Sequence, residues 1–446
     1  MTRIARRVAA TLLVAVLTTF YYAAASQHAR IVNTSKARGD QSGYLWDAQQ
    51  VYRNWHGRNP PMLIGQRMRM PGYAAVLALF WDPAMSDPEF FERAKTVNIW
   101  LSMALLVGFA ILFARSLPPL AATNLTLIVA FGYFVFKAGY SQPELLSYFL
   151  FFCMFLSSWH LLTSSGGRRS VVLAACTGVL AGLTHLTKAV APWFLAVLVA
   201  ALAFKGLRQR AELRRSIAAA ALVIATFVAV VYPYIANSKQ VFGSYFYNTT
   251  TTHYVWYDNG SEGRAQLGPY TDPEGRISVP HDQLPTMRTY LTTRTPREIA
   301  VRLGHGFEDM LVRSYTSYAY LKYVVLFVVT SAIVVITNWR AFRRLAQEHA
   351  FLLLFLGMYA VVFLTSTALL EAMSGTGTAR FLIAHIAPLL FVLSRFLTTT
   401  PFSESAWRVG SVRLSIAYFH PLASVILAVE LAFFLWPRLM STYGGF

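Results

Sequence analysis

The sequence predicts an all-α polytopic membrane protein, with about eleven transmembrane helices and amphipathic juxtamembrane helices in its first long outer loop. Three observations predict it. The chain of 446 residues is 56% hydrophobic and only 13% charged, a composition foreign to a soluble globule of this size. Its apolar residues gather into runs near the ~20 residues needed to cross a hydrocarbon core. Its cations gather in short polar loops on one alternate set of the connections, as orientation by positive residues requires. The net charge of +19 therefore reads as membrane orientation and not as a nucleic-acid surface.

In order, the spans fall at 8–26, 95–114, 118–137, 144–163, 170–186, 190–204, 216–235, 319–338, 350–370, 381–397 and 416–436. The N-terminal MTRIARR before an apolar run reads as a signal anchor, because the run continues past Tyr22 without a clear cleavage site. Alternation from a cytoplasmic N-terminus puts Arg3, Arg6, Arg7, Arg115, Arg168, Arg169, Lys205, Arg208, Arg210, Arg214, Arg215, Arg340, Arg343, Arg344, Arg408 and Arg413 inside. Every Asp then lies outside. The Ala- and Arg-rich character reads as bacterial, so the expected location is the inner (plasma) membrane, multi-pass. The organisation follows: an N-terminal transmembrane module at 1–236 carrying the first outer loop at 27–94, an outer loop at 237–318, and a C-terminal transmembrane segment at 319–446. Cys153 and Cys176 sit in apolar runs, which excludes a disulfide framework from the expected fold.

The stretch from Arg38 to Trp81, within the first outer loop, is too polar to span yet patterned as helix. Tyr44, Ala48, Val51, Tyr52 and Trp55 share one helical face; Asp47, Gln50, Arg53 and Asn54 share the other. Asp40 precedes that helix, and Arg67 and Arg69 follow it. Gly72 to Trp81 is apolar but too short to cross, hence interfacial or re-entrant. In the second long loop, Thr295-Pro296-Arg297-Glu298 is a capping-box pattern with proline at the first helical position. Ile299, Leu303, Phe307 and Met310 then follow at helical spacing, predicting a second surface-lying helix. Asn248 and Asn259 fit a glycosylation acceptor pattern, of small weight in a bacterial chain.

Short outer loops carry Glu144 at a helix start, His185 and Lys188 near membrane depth, and Glu371, Arg380 and His385 around the flexible pair Gly375 and Gly377. Charge at such depth is costly and normally faces a cavity or a partner. Carboxylates (Asp40, Asp47, Glu144) and cations (Lys188, Arg380, Arg67, Arg69) on one side suit a lipid-borne phosphate held by charge-assisted bonds, beside a general base. Each residue also has a plainer reading. Asp40 suits an N-cap of the helix beginning near Ser42, Asp47 a solvated face, and Glu144 the helix dipole. Arg67 and Arg69 suit anionic headgroups, Lys188 snorkelling, and His185 and His385 packing. His253, His281 and His305 are too scattered for a metal site.

GDQSGYLWDA with Asp40 and Tyr44, RMRMPGYAAVLALF, SQPELLSYFLFF, GLTHLTKAVAP, YPYIANSKQVFGS and GTARFLIAHIAPLL together resemble, in this order, the GT-C membrane glycosyltransferases. Within them the likeness is to the protein O-mannosyltransferase and lipid A aminoarabinose transferase superfamily. The resemblance implies transfer of a sugar from a polyprenyl-phosphate donor to a glycan, lipid or protein acceptor, at the outer (periplasmic) face, with inversion. It maps the acidic residue of the first outer loop onto Asp40, and donor-phosphate contacts onto Lys188 and Arg380, with Arg67 and Arg69 as further candidates. Tyr44, Asp47, Glu144 and His185 are the expected substrate-lining residues. Many members carry two adjacent acids where this chain has Gln41. That departure argues against a metal shared by neighbouring carboxylates; no metal ligands are assigned, and a divalent ion is left open. Membrane lipid is the other expected partner. The rival reading is a transporter or flippase for a lipid-linked or anionic substrate, but the sequence shows no internal repeat of the kind such folds carry.

Overall fold

The computed structural model describes residues 3–37, 39–57, 69–164, 166–271, 278, 284–317, 320–374, 379–409 and 412–440. Long helices dominate: α1 (Arg3–Ile31), α4 (Asp87–Ser116), α5 (Pro119–Lys137), α6 (Glu144–Thr163), α7 (Arg168–Thr187), α8 (Ala191–Arg208) and α9 (Leu213–Phe242), with the short α2 (Gln41–Trp55) and α3 (Pro71–Ala78) between the first two. Among the described residues nine helices are long and apolar enough to cross a membrane, or ten if one bent pair counts as a span. The chain is thus an all-α polytopic membrane protein in architecture.

Local chemistry sets the helix ends. Ser86 accepts from the Glu89 amide while Glu89 Oε2 accepts from the Ser86 amide at 2.8 Å, a capping box that starts α4 at Asp87, well before position 95 where hydropathy alone begins the span. Likewise α9 outruns its apolar stretch and stops where Gly243 turns left-handed (φ 76°). Close helix approach depends on small residues: a Cβ on Gly178 of α7 would lie 2.3 Å from the Val223 carbonyl oxygen of α9. The core is aromatic, with Phe109, Phe113, Phe134, Phe152, Tyr133 and Tyr148 buried together.

One end of the bundle is held by cations donating to carbonyls at the C-terminal ends of α4 and α6. Lys205 Nζ donates to Leu162 and Ser164 at 2.7 and 2.8 Å, and Arg395 Nη1 donates to Ser116 at 2.9 Å. Here α11 (Leu321–Thr337) meets α12 (Trp339–Glu348) at 100°. Helix α12 turns Phe342 and Leu345 inward and leaves Arg340, Arg343 and Arg344 exposed. Beyond the last transmembrane hairpin's first arm, Ala406–Val409 pairs antiparallel with Val412–Ser415. This small β-hairpin was not expected from hydropathy, which sees only a polar loop there.

The other end carries the long loops. α3 is not a free interfacial element: Tyr73, Ala74, Leu77 and Ala78 are buried against α2 and the start of α4, and only Leu79 and Phe80 emerge beyond it. In the second loop, α10 (Pro296–Ser317) starts as its sequence predicts. Thr295 N and Oγ1 donate to Glu298 Oε2 at 2.7 and 2.9 Å, and Glu298 N donates back to Thr295 Oγ1 at 3.3 Å. Its Arg302, Gly306 and Met310 face inward onto α13 (Ala350–Ser374), and Gly306 lets the helices close to backbone contact. Asn248 and Asn259 spend their side-chain oxygens on helix starts, accepting from Thr251 N at 3.1 Å and Glu262 N at 2.8 Å.

Candidate functional site

A buried amide network fixes where Asp40 stands. After α1, Asn33 Nδ2 donates to Gly139 O and to Gln41 Oε1, both at 2.8 Å; Gln41 Nε2 returns a bond to Asn33 Oδ1 at 2.8 Å. Gln41 Oε1 also accepts from the Ser141 amide at 2.9 Å. The turn between α5 and α6 is held a second time by Asn98 of α4. Its Nδ2 donates to Tyr140 O at 2.7 Å and Ala138 O at 3.0 Å, while its Oδ1 accepts from the Tyr73 hydroxyl at 3.0 Å. Gly39 is left-handed (φ 61°), a conformation that favours glycine, and a Cβ there would also push on Gln142 Nε2 at 2.5 Å. Gln41, which departs from the paired-acid pattern, is the residue that locks Asp40 to the α5–α6 turn.

Four predicted residues from four separate connections then meet. Asp40 Oδ2 lies 3.1 Å from Arg380 Nη2, Glu144 Oε1 lies 3.6 Å from Arg380 Nη1, and the same oxygen lies 3.1 Å from Lys188 Nζ. The cluster is graded in depth: side-chain exposure falls from 45% at Asp40 through 21% at Arg380 and 13% at Lys188 to 3% at Glu144. Asp40 occupies the N-cap position of α2, yet its side chain makes no cap hydrogen bond. The capping reading is thereby corrected: the carboxylate is turned to Arg380 instead. Lys188 does not snorkel outward; it is largely covered, paired with Glu144, and stands 4.4 Å from the Phe381 ring centroid. Burial pushes its ammonium below the ordinary lysine range, and the Glu144 carboxylate opposes that. The Tyr148 hydroxyl donates to Arg380 O at 2.6 Å and anchors the start of α14 (Ala379–Ile383).

Lys137, at the end of α5, belongs to this cluster and escaped the sequence reading. It is buried, lies 5.0 Å from the Tyr140 ring centroid, and is electrostatically coupled to Glu144, Arg380, Lys188 and Asp40. A cation closing an apolar run on the same side as Asp40 was the available signal. Arg380 and Lys188, the two part-exposed cations of the cluster, lie toward its open edge, which suits an anionic ligand.

A second pair adjoins. Asp47 is not a solvated face residue: it is buried, and its Oδ2 accepts from Arg69 Nε at 2.9 Å. A Cβ on Gly43 would lie 2.1 Å from Arg69 Cζ, so the missing side chain makes room for the guanidinium on α2. Arg69 also lies 5.8 Å from the Tyr44 ring centroid, and Tyr44 packs edge-on to Tyr73 at 5.6 Å. Burial, reinforced by Glu144 and Asp40, holds the Tyr44 phenol well above the usual tyrosine range, so it stays protonated as a donor. Arg67, with Gly375, Gly377 and His281, lies outside the described residues. His185 is placed elsewhere than expected, edge-on to the stacked rings of Phe227 and Phe246 at 5.8 and 5.7 Å. His385 Nδ1 shares a 2.6 Å hydrogen bond with the Tyr359 hydroxyl amid Phe151 and Phe363. Glu371 pairs with Arg313 at 2.7 Å. Among the described residues no group of three or more His, Cys, Asp and Glu is placed to hold a metal ion.

No family model, curated protein or solved structure matches the chain.

Proposed function

We propose that the chain is an integral-membrane glycosyltransferase that moves a sugar from a polyprenyl-phosphate donor to an acceptor hydroxyl. The observation that carries this reading is the graded cluster: a half-exposed carboxylate, Asp40, beside Arg380, above the buried Glu144–Lys188 pair. Arg380 and Lys188 bind the donor phosphate. Glu144 keeps both cations oriented and prevents their mutual repulsion. Asp40 takes the proton of the acceptor hydroxyl as its oxygen bonds to the anomeric carbon. The bond from that carbon to the phosphate oxygen breaks, and the electron pair leaves with the phosphate, whose developing charge Arg380 and Lys188 stabilise. Attack opposite the leaving phosphate inverts the anomeric centre, as the GT-C resemblance implies.

In this reading α1, the nine helices and the bent pair make eleven spans. The N-terminus is cytoplasmic and the cluster opens on the outer face of a bacterial inner membrane. The test is mass spectrometry of glycolipids, envelope glycans and envelope proteins from a deletion strain, with and without the restored gene. A sugar lost on deletion and restored on complementation identifies donor and acceptor together; unchanged glycans in every fraction would reject the assignment.

A further inference from the structure

We infer that α12 (Trp339–Glu348) is a membrane-surface helix whose arginine row binds the phosphate groups of anionic phospholipids. The 17 residues of α11 (Leu321–Thr337) already reach the lower end of the length that a span needs. The 100° bend that follows turns α12 along the membrane surface and not deeper into it. Asn338 forms the corner, where its Nδ2 donates to Val334 O and to Ser405 Oγ, both at 3.0 Å. Ala341, Phe342 and Leu345 pack onto the bundle, with Phe342 6.2 Å from the Phe396 ring centroid. The opposite stripe, Arg340, Arg343, Arg344 and Gln347, is exposed.

That stripe opposes its own helix. The three arginines fall at i, i+3 and i+4, where like charges repel. Arg340 lies in the first turn, where the helix dipole disfavours a cation, and no acidic residue stands in that turn. Two carboxylates stand near: Glu348, the last residue of α12, and Glu404, next to Ser405 at the corner; both are exposed. Among the described residues no ion pair joins these or any other carboxylate to Arg340, Arg343 or Arg344. Arg208, from the end of α8, adds a fourth exposed cation by donating to Gln347 O at 3.4 Å. Anions lying along the row offset both the repulsion and the dipole. Lipid phosphates supply them at the depth where a span ends, and each arginine there gains from a negatively charged leaflet. An acidic soluble protein would meet the same charges. Trp339 favours the lipid: it is 56% exposed at the corner beside the arginines, and tryptophan settles at headgroup level. An apolar face on the bundle and a cationic face outward complete an interfacial helix. This inference requires only that the chain spans a membrane and is independent of the proposed sugar transfer.

The experiment is hydrogen–deuterium exchange of the full chain in nanodiscs of phosphatidylcholine alone and of phosphatidylcholine with an equal amount of phosphatidylglycerol. Phosphatidylglycerol should slow exchange at residues 339–348 by about fivefold for each arginine engaged, one charge's worth at a membrane surface. Arg343→Gln should return about fivefold of that slowing, and Arg340→Gln, Arg343→Gln and Arg344→Gln together should remove it. Arg340→Lys, Arg343→Lys and Arg344→Lys together, which keep the charge, should preserve it. Equal exchange at 339–348 in the two nanodiscs would overturn the inference, as would slowing that survives the loss of all three charges. Slowing produced by added polyglutamate and not by phosphatidylglycerol would assign the face to an acidic protein partner and also overturn it.

Discussion

Asp40→Asn separates chemistry from architecture, and the structure sets both magnitudes. The Asp40 side chain is 45% exposed, makes no cap hydrogen bond, and touches Arg380 at 3.1 Å. Arg380 keeps Glu144 at 3.6 Å when Asp40 is neutralised, so no buried charge is left unpaired. A part-exposed ion pair of this kind contributes about 0–1 kcal/mol, and asparagine still accepts from the guanidinium. Stability should therefore change by less than about 1 kcal/mol. Removing a general base slows transfer by about 10²–10⁴-fold, equivalent to roughly 2.7–5.4 kcal/mol of transition-state stabilisation. The assay is complementation of the deletion strain, read as modified glycan by mass spectrometry, beside thermal denaturation of the purified variant in detergent. Transfer at the wild-type rate would refute the base assignment. A loss of several kcal/mol in stability would show instead that Asp40 is a structural residue.

Glu144→Gln should behave in the opposite way. Its 3%-exposed carboxylate holds both Lys188 and Arg380; Arg380 keeps Asp40, but stranding the largely covered Lys188 costs about 3–5 kcal/mol, and a thermal midpoint no lower than that of Asp40→Asn would contradict the graded cluster. Gly306→Ala would bring a methyl group to 2.0 Å from the Ala368 carbonyl oxygen. Overpacking of this kind costs about 1–3 kcal/mol, and unchanged thermal stability would argue against close packing of α10 on α13. The start of α10 should also be pH-sensitive. Thr295 amide and hydroxyl bonds hold the Glu298 carboxyl below its ordinary value of 4.5. Their contribution is complete above that value and is lost as the pH falls through the lowered one. Amide exchange at residues 295–299 should accelerate on acidification in that window, and Glu298→Gln, which has no carboxyl to titrate, should abolish the change.

Long apolar helices were legible, nine among the described residues and ten with the bent pair, because the hydrocarbon core imposes a length that composition alone reveals. The capping box at Thr295 was legible because both partners lie within one helical turn. What escaped depends on partners far along the chain. Asp47 sits on the polar side of the α2 pattern, and helical periodicity sends such a residue to water. Its burial is decided by Arg69, which arrives from beyond the helix and settles where Gly43 leaves space. Asn33, Gln41 and Asn98 look like ordinary loop or span-end amides, yet they bind the α5–α6 turn that positions Asp40 and Glu144. Lys137 passed for the end of an apolar run, and His185, adjacent in sequence to the Lys188 loop, turns to Phe227 and Phe246 instead of joining the cluster. The side of the bundle on which Asp40, Glu144, Lys188 and Arg380 lie was readable; which of their neighbours complete the cluster required the fold.

The most direct measurement of the central claim is the affinity of the purified chain for a polyprenyl phosphate, compared among wild type, Lys188→Gln, Arg380→Gln and Asp40→Asn. Each cation contributes a charge-assisted contact of about 1.5–3 kcal/mol. The account therefore predicts binding weakened by roughly 10–100-fold in the two cation variants and retained in Asp40→Asn. Wild-type affinity in both cation variants would contradict it.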